Sequence, residues 1–271
     1  MNLSETRLAV IGAGNIGRIL LERLLAAGIP AGNLAICDRD PARASAAATD
    51  FGVRPVMLAD EAVCAAEAVL LAVPPKEVAT VVQTFADWRC TCRVLISFAA
   101  GVPLAKIEAL LPAGAQVARV MPNAPSLIGQ GMNPVAYGDS LTPKSRELVE
   151  TVLSVLGATI VVRDEQMNWC VGLTGAAMRS VLPVLEGMTQ AGAEAGFTES
   201  EARQMAAQVL LGTTGLVLHT NLTFEQIKAL TPMQTVDEAA LAQLFLEAAR
   251  AAKEKTEAAQ RKLWPTERET K

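Results

Sequence analysis

Aromatic side chains are scarce in this chain: Phe, Trp and Tyr together supply 4% of it. Ala, Leu and Val must carry the core, which suits close-packed helices and a parallel sheet. There is one histidine, His219. No Ser-His-Asp arrangement can dominate such a chain, and His219, at the end of an expected helix, reads as a residue meeting the helix dipole rather than as a base. No Gly-x-x-x-x-Gly-Lys-Ser/Thr loop occurs. The five cysteines (Cys37, Cys64, Cys90, Cys92 and Cys170) are scattered, odd in number and without a Cys-x-x-Cys pair, a usage that fits a reducing compartment. Cys90-Thr-Cys92 has the wrong spacing for a zinc knuckle, so no metal site is expected. The formal net charge is only −4, which argues against a general nucleic-acid binder, and no run of like charges offers a polybasic anchor. No apolar run reaches membrane-spanning length. The N-terminus lacks a charged segment followed by a long apolar stretch. The expectation is a cytoplasmic protein with no signal peptide and no membrane contact.

What the chain does have is size and punctuation. Its 271 residues suffice for two domains with a core that needs no disulfide or metal. The apolar run Leu8-Ala-Val-Ile11 enters Gly12-Ala-Gly-Asn-Ile-Gly17, and an amphipathic stretch follows to Ala27. This is the strand, Gly-x-Gly-x-x-Gly turn and helix start that hold a dinucleotide pyrophosphate. Gly12 would make the tight turn, Gly14 would admit the phosphates, and Gly17 would let helix and strand approach. Asn15 and Ile16 would offer first-turn N–H groups to the anion. Asp38 ends the next strand, about 20 residues beyond Gly17, where a ribose-binding acid is expected. The alternative, a turn that binds nothing, fits this context less well.

Strands and helices then alternate. Leu34–Cys37, Val53–Met57, Ala68–Val73, Arg93–Ser97 and Gln116–Met121 read as strands. Pro41–Asp50, Ala59–Ala66, Lys76–Phe85 and Pro103–Leu110 read as helices between them. A loop from Pro122 leads to a strand near Asn133–Tyr137. Thr142-Pro143 caps a helix to about Leu156, and Ala158–Val162 is a last strand. The fold class is therefore α/β, an N-terminal Rossmann-like, doubly wound parallel sheet spanning residues 1–163. From Asp164 the chain reads as all helical to residue 271. One helix is interrupted at Gly172 and Gly175, one is announced by Thr198-Glu-Ser-Glu201, a short one starts at Thr223, and one runs from Val236 to Lys262 before a polar tail from Trp264. These helices are apolar on more than one face and need a covering partner, either a second copy or the chain's own sheet domain.

Ligands in an open parallel sheet bind at the strand carboxyl ends. That gathers the glycine turn, Asp38-Arg39, Ala72-Val73-Pro74-Pro75, the loop with Ala99 and Ala100, and Met121-Pro-Asn123-Ala-Pro125. Asn123 is either a carboxamide that orients a nicotinamide or substrate edge, or a turn-former. Asp38 favours NAD by repelling a 2′-phosphate, whereas Arg39, with Arg43 a turn later, can clamp one and favour NADP. Lys76 reads as a surface lysine. Arg179, in an Ala/Leu/Val-rich helix, would need a partner if buried, either a substrate carboxylate or Glu186 or Glu194.

Several stretches together carry a resemblance. Val10-Ile-Gly-Ala-Gly-Asn-Ile-Gly17, Leu71-Ala-Val-Pro-Pro75, Ile96-Ser-Phe-Ala-Ala-Gly-Val102 and above all Arg119-Val-Met-Pro-Asn-Ala-Pro125 with Gly129-Gln-Gly-Met132 resemble the pyrroline-5-carboxylate reductase family over the whole chain. The resemblance implies reduction of a cyclic imine acid with NADPH (NADH possible) and a homodimer through interlocked helical domains, often in larger rings. It implies a substrate held between nicotinamide and helical-domain amides. It also implies roles: Gly12, Gly14, Asn15, Ile16, Gly17, Asp38, Arg39, Ala72, Val73, Pro74, Ala99, Ala100 and Asn123 on the cofactor, and Asn123 and Gly175 on the substrate. Thr174 and Thr235 would sit at the imine nitrogen. The sequence departs from the family where substrate should bind. The family's Ser-Gly-Ser-Gly-Pro-Ala-Tyr is here Thr174-Gly-Ala-Ala-Met-Arg-Ser180, and its Ser-Pro-Gly-Gly is Thr231-Pro-Met-Gln234. Met and Gln remove glycines whose backbone N–H groups would approach a carboxylate. Arg179 is the candidate replacement anion binder. Two further readings follow: an oxidoreductase for another imine or a keto/hydroxy acid, and a cofactor-binding sensor without turnover.

Overall fold

The computed structural model describes residues 5–85 and 94–264. Arg93, Cys90, Cys92 and the tail beyond Trp264 lie outside the described residues. By compactness the chain divides into Met1–Ala176 with Arg250–Lys271, and Ala177–Ala249.

The first unit is built on an eight-stranded sheet. Its strands are β1 (Leu8–Ile11), β2 (Leu34–Cys37), β3 (Arg54–Pro55), β4 (Ala68–Leu71), β5 (Val94–Ser97), β6 (Val117–Val120), β7 (Gly131–Tyr137) and β8 (Gly157–Val161), in the order β3-β2-β1-β4-β5-β6-β7-β8. Chain order reverses between β1 and β4, and that is the switch point where an open sheet leaves a crevice. Strands β1, β2, β4, β5 and β6 are buried at every position, because helices cover both faces. Alternation sorts the side chains. Leu8, Val10, Leu34, Ile36, Leu70 and Ile96 join one apolar core. Ala9, Ile11, Ala35, Cys37, Leu71 and Leu95 join the other.

The helices of this unit are α1 (Asn15–Ala26), α2 (Pro41–Phe51), α3 (Ala59–Ala65), α4 (Val78–Val82), α5 (Leu104–Glu108), α6 (Pro143–Ser154) and α7 (Met167–Cys170). Asp40 caps α2 by accepting from Ala42 N–H, with Pro41 at the first helical position, as its sequence signature predicts. Thr142 caps α6 in the same manner.

Three expectations are corrected. The sheet is not parallel throughout: β7 runs antiparallel to β6, then pairs parallel with β8. The link from Val120 to Gly131 holds only a 3-10 turn, Ala124–Ile128, and is too short for a crossover, so the chain folds straight back. The third strand shrinks from Val53–Met57 to Arg54–Pro55 because Pro55 has no N–H to continue a ladder. The single helix expected over Lys76–Phe85 is a 3-10 turn, Pro75–Glu77, followed by the five-residue α4.

Past the sheet, a 3-10 turn (Asp164–Gln166) and α7 lead into a π-helical turn, Val171–Gly175. The interruptions expected at Gly172 and Gly175 therefore take the form of a widened turn, a form frequent at functional sites.

The second unit is helical: α8 (Ala177–Glu194), α9 (Glu199–His219), α10 (Phe224–Ala229) and the first half of α11 (Glu238–Leu263). Gly196 turns the chain with φ of +89°. Thr198 and Glu201 then form the anticipated reciprocal cap. Thr223 and Gln226 repeat that cap at α10. Gly192 lies so close against Ala202 that a Cβ on it would stand 2.7 Å from the Ala202 methyl, which lets α8 and α9 pair tightly.

Candidate functional site

The glycine turn is fixed from three sides. Gly12 donates its N–H to Cys37 O at 2.7 Å, and Ala72 N–H reaches Ile11 O at 2.7 Å. Gly12 has φ of +107°, and a Cβ there would collide with the Ala72 carbonyl. A Cβ on Gly17 would collide with Gly12 O. Fold geometry alone therefore demands glycine at both positions.

Gly14 is different. Its φ of −76° suits any residue, and a Cβ there would meet no atom within 4 Å. Neither conformation nor packing requires glycine at this point. The space it leaves opens into a cavity of about 580 Å³. Gly14 is also the N-cap of α1, with no side chain to cap and no acidic residue in the first turn. The first-turn N–H groups and the positive end of the helix dipole are thus left for an anion from outside the chain. A dinucleotide pyrophosphate fits this cradle.

The cavity collects Gly12, Gly14, Asn15, Ile16, Asp38, Arg39, Ala72, Val73 and Pro74 from the anticipated set, and Arg43 with them. Gly17 is not on its wall. Asp38 has both carboxylate oxygens engaged: Oδ2 accepts from Ala13 N–H at 2.7 Å, and Oδ1 from Asp40 N–H at 2.9 Å. The acid thus braces the glycine turn. Arg39 lies within 3.0 Å of a Glu77 carboxylate oxygen, and Arg43 stands 3.8 Å from Asp40. Sequence reasoning missed Glu77, Thr80 and Val81, which line this cavity. They follow β4 at a helical spacing, but nothing local marks them as facing a ligand.

Ala99 is buried after β5. Ala100 lies with Pro74, Pro75 and Lys76 on a second, open cavity of about 570 Å³, bordered by the C-terminal part of α11 through Thr256 and Gln260. Lys76 thus faces this second cavity and is exposed, as its surface reading supposes.

Asn123 is committed by its amide. Oδ1 accepts from Met132 N–H at 3.1 Å, and Nδ2 donates to Thr174 O at 3.3 Å. The structure thus gives Asn123 a fastening role between β7 and the π turn and leaves one amide hydrogen to give. Thr174 donates its hydroxyl proton to Cys170 O at 2.8 Å, so its oxygen faces its surroundings as an acceptor. Gly175 is packed against Met121, whose terminal methyl would be 2.6 Å from a Cβ.

Beneath these loops lies a buried charge that sequence reasoning passed over. Arg119 on β6 is 2% exposed. It donates to Asp164 Oδ1 at 2.7 Å and to Asn168 Oδ1 at 3.2 Å. Asp164 Oδ2 accepts from Leu104 N–H at 3.0 Å, and Asn168 Nδ2 donates to Gln260 at 2.8 Å. Burial lowers the Arg119 pKa and Asp164 opposes that shift. Burial also pushes the Cys170 thiol up, against the pull of Arg119. An arginine inside Val117-Ala-Arg-Val120 was the available signal, since a lone charge in a fully buried strand must be paired.

Arg179 and Thr235 belong to the helical unit, and both are exposed. Among the described residues Arg179 has no ion-pair partner, so pairing with Glu186 or Glu194 does not occur; Glu194 instead accepts from Gln190. Among the described residues, no group of three or more His, Cys, Asp or Glu is placed to hold a metal. No helix among them is long and apolar enough to cross a membrane.

Comparisons with known proteins agree with this layout. Residues 7–101 match the family model described as NADP oxidoreductase coenzyme F420-dependent, and residues 164–262 match pyrroline-5-carboxylate reductase dimerisation. A pyrroline-5-carboxylate reductase from Mycobacterium tuberculosis is 32% identical over 224 residues, 80% of this chain and 76% of the relative. The solved pyrroline-5-carboxylate reductase of Coxiella burnetii superposes with a TM-score of 0.81 at 22% identity, covering 98% of this chain and 100% of that one. A Plasmodium falciparum pyrroline carboxylate reductase with NADP bound gives 0.84 at 18% identity, covering 95% and 99%. With a fold, a glycine cradle and a dimerisation segment that all point the same way, this chain belongs to the pyrroline-5-carboxylate reductase family of NAD(P)-dependent oxidoreductases.

Proposed function

We propose that the protein reduces a cyclic imine acid with NADPH, converting pyrroline-5-carboxylate to proline, and does so in the cytoplasm. The observation that carries the cofactor half is the open space in front of Gly14. Backbone N–H groups at Asn15 and Ile16 hold the pyrophosphate, with Gly12, Ala72, Val73 and Pro74 forming the wall beside it. Because Asp38 is turned to the backbone of Ala13 and Asp40, Arg39 and Arg43 are the charges that meet the adenosine ribose. Two guanidinium groups there favour a 2′-phosphate, hence NADP over NAD. Ala99, Ala100 and Asn123 border the nicotinamide end.

The bound nicotinamide supplies a hydride to the imine carbon; the chain supplies position and charge. Thr174, its proton already given to Cys170 O, accepts from the N–H of a protonated imine and thereby favours the electrophilic form. The proton itself arrives with the substrate from solvent. Gly175 in the π turn and the spare amide hydrogen of Asn123, in the loop after β6, contact the substrate; Thr235, exposed on the helical unit, is the candidate for a second hydroxyl. Arg179, exposed on the helical unit and without an ion-pair partner among the described residues, is the candidate for the carboxylate. Apolar side chains crowd the surface of the helical unit: Leu211, Leu218, Leu230 and Leu244 are all more than half exposed. A second copy of the chain covers them, so the working form is a homodimer, which can assemble further into a ring of dimers.

Met233 is 77% exposed and stands where the family has glycine. This favours a second reading in which the substrate is another imine or a keto acid. NADPH oxidation with pyrroline-5-carboxylate, pyrroline-2-carboxylate and the six-membered homologue separates the cases. Turnover of the first supports the proposal, and turnover of only the others replaces it with the second reading. Tight NADPH binding without any turnover means a sensor.

A further inference from the structure

The cofactor cavity holds a carboxylate that an NADP site does not obviously need. Glu77 ends the 3-10 turn after β4, and its side chain is only 15% exposed. It lines the same cavity as Asp38, Arg39 and Arg43. Its oxygen lies 3.0 Å from Arg39, whose own side chain is 72% exposed. The pair therefore joins the loop after β2 to the turn after β4, next to the place where Arg39 would meet a ribose phosphate. Of the other charges on this cavity, Asp38 is braced by two N–H groups, Arg43 stands beside Asp40, and Asp60 also lines the wall, while Glu77 is the carboxylate paired with Arg39.

We infer that Glu77 is a selectivity residue: it competes with the 2′-phosphate of NADP for Arg39 and holds the preference for NADPH over NADH below what Arg39 and Arg43 alone would set. This rests on the proposal that the cavity takes the adenosine end of NADP. The reasoning is electrostatic. A 2′-phosphate brings nearly two negative charges to a guanidinium already holding a carboxylate. It must either displace Glu77 or bind beside it, and both cost energy in a half-enclosed cavity. NADH brings only hydroxyls to that position and leaves the ion pair intact. Removing the carboxylate charge should therefore help NADPH and leave NADH nearly unchanged.

The test is Glu77→Gln in the full chain, with NADPH and NADH dissociation constants measured by nicotinamide fluorescence. The expected result is NADPH binding tightened about fivefold to tenfold, with NADH changed less than twofold. In an Arg39→Gln background the same Glu77→Gln change should lose most of its effect on NADPH, because the competition is for Arg39. An NADPH/NADH preference that stays level or falls in Glu77→Gln overturns the inference, as does an equal gain in the Arg39→Gln background. If the wild-type chain binds neither nucleotide, the underlying cofactor reading fails instead, which is a different outcome. Circular dichroism of each variant confirms that a changed affinity is not partial unfolding.

Discussion

The glycine turn and the π turn solve opposite problems. At the first, the protein satisfies its own needs with Gly12 and Gly17 and then leaves Gly14 facing empty space. At the second, Thr174, Gly175 and Asn123 are all engaged with the chain itself, through Cys170, Met121 and Met132. A cofactor cradle works by leaving backbone N–H groups unclaimed. A substrate-facing turn must be held in place, because small displacements of a reacting group cost rate. Under the proposed function, an unexplained glycine and a fully explained polar side chain both belong to one site.

Four substitutions separate what serves the fold from what serves a ligand or a partner. Gly17→Val forces a side chain into the Gly12 carbonyl and should cost about 4 kcal/mol or more, at the extreme of single-site effects; thermal unfolding of the purified variant would show it. Asp164→Ala strands the buried Arg119 guanidinium and should cost about 3–5 kcal/mol. A denaturant midpoint equal to wild type would mean that the buried network contributes nothing. Leu218→Asp puts a charge on the apolar surface of α9 and should weaken self-association about 30-fold, the effect of losing a strong interface anchor; analytical ultracentrifugation over a concentration series reads it. Gly14→Ala is the sharpest of the four. The fold should shift by less than about 1 kcal/mol, since the site is open and the conformation ordinary, while NADPH affinity falls about tenfold because the new methyl occupies the phosphate's place. If Gly14→Ala leaves both stability and NADPH binding untouched, the cradle is not a cradle.

Much of the first unit, and the helix starts of the second, were legible in the residues. The strand and helix alternation, the Asp40-Pro41 cap and the reciprocal Thr198–Glu201 cap each rest on interactions between near neighbours, and each is present. Residues joined across long stretches of chain were harder to read. Asp38 was visible as a strand-end acid, but its engagement with Ala13 N–H depends on how β1 and β2 align. Glu77 became a cavity residue only when the turn after β4 swung beside the loop after β2. Arg119 stood inside a recognised motif, yet its partners Asp164 and Asn168 lie in another stretch of the chain.

Residue identity and spacing along local stretches were enough to identify the family, the Rossmann-like half and the three glycines of the turn. Three features emerged only in the folded chain: β7 turns back against β6, Gly12 and Gly17 serve the fold while Gly14 faces a cavity, and Arg39 pairs with Glu77. Each is set by what lies opposite a residue in space, and spacing along the chain carries no record of that.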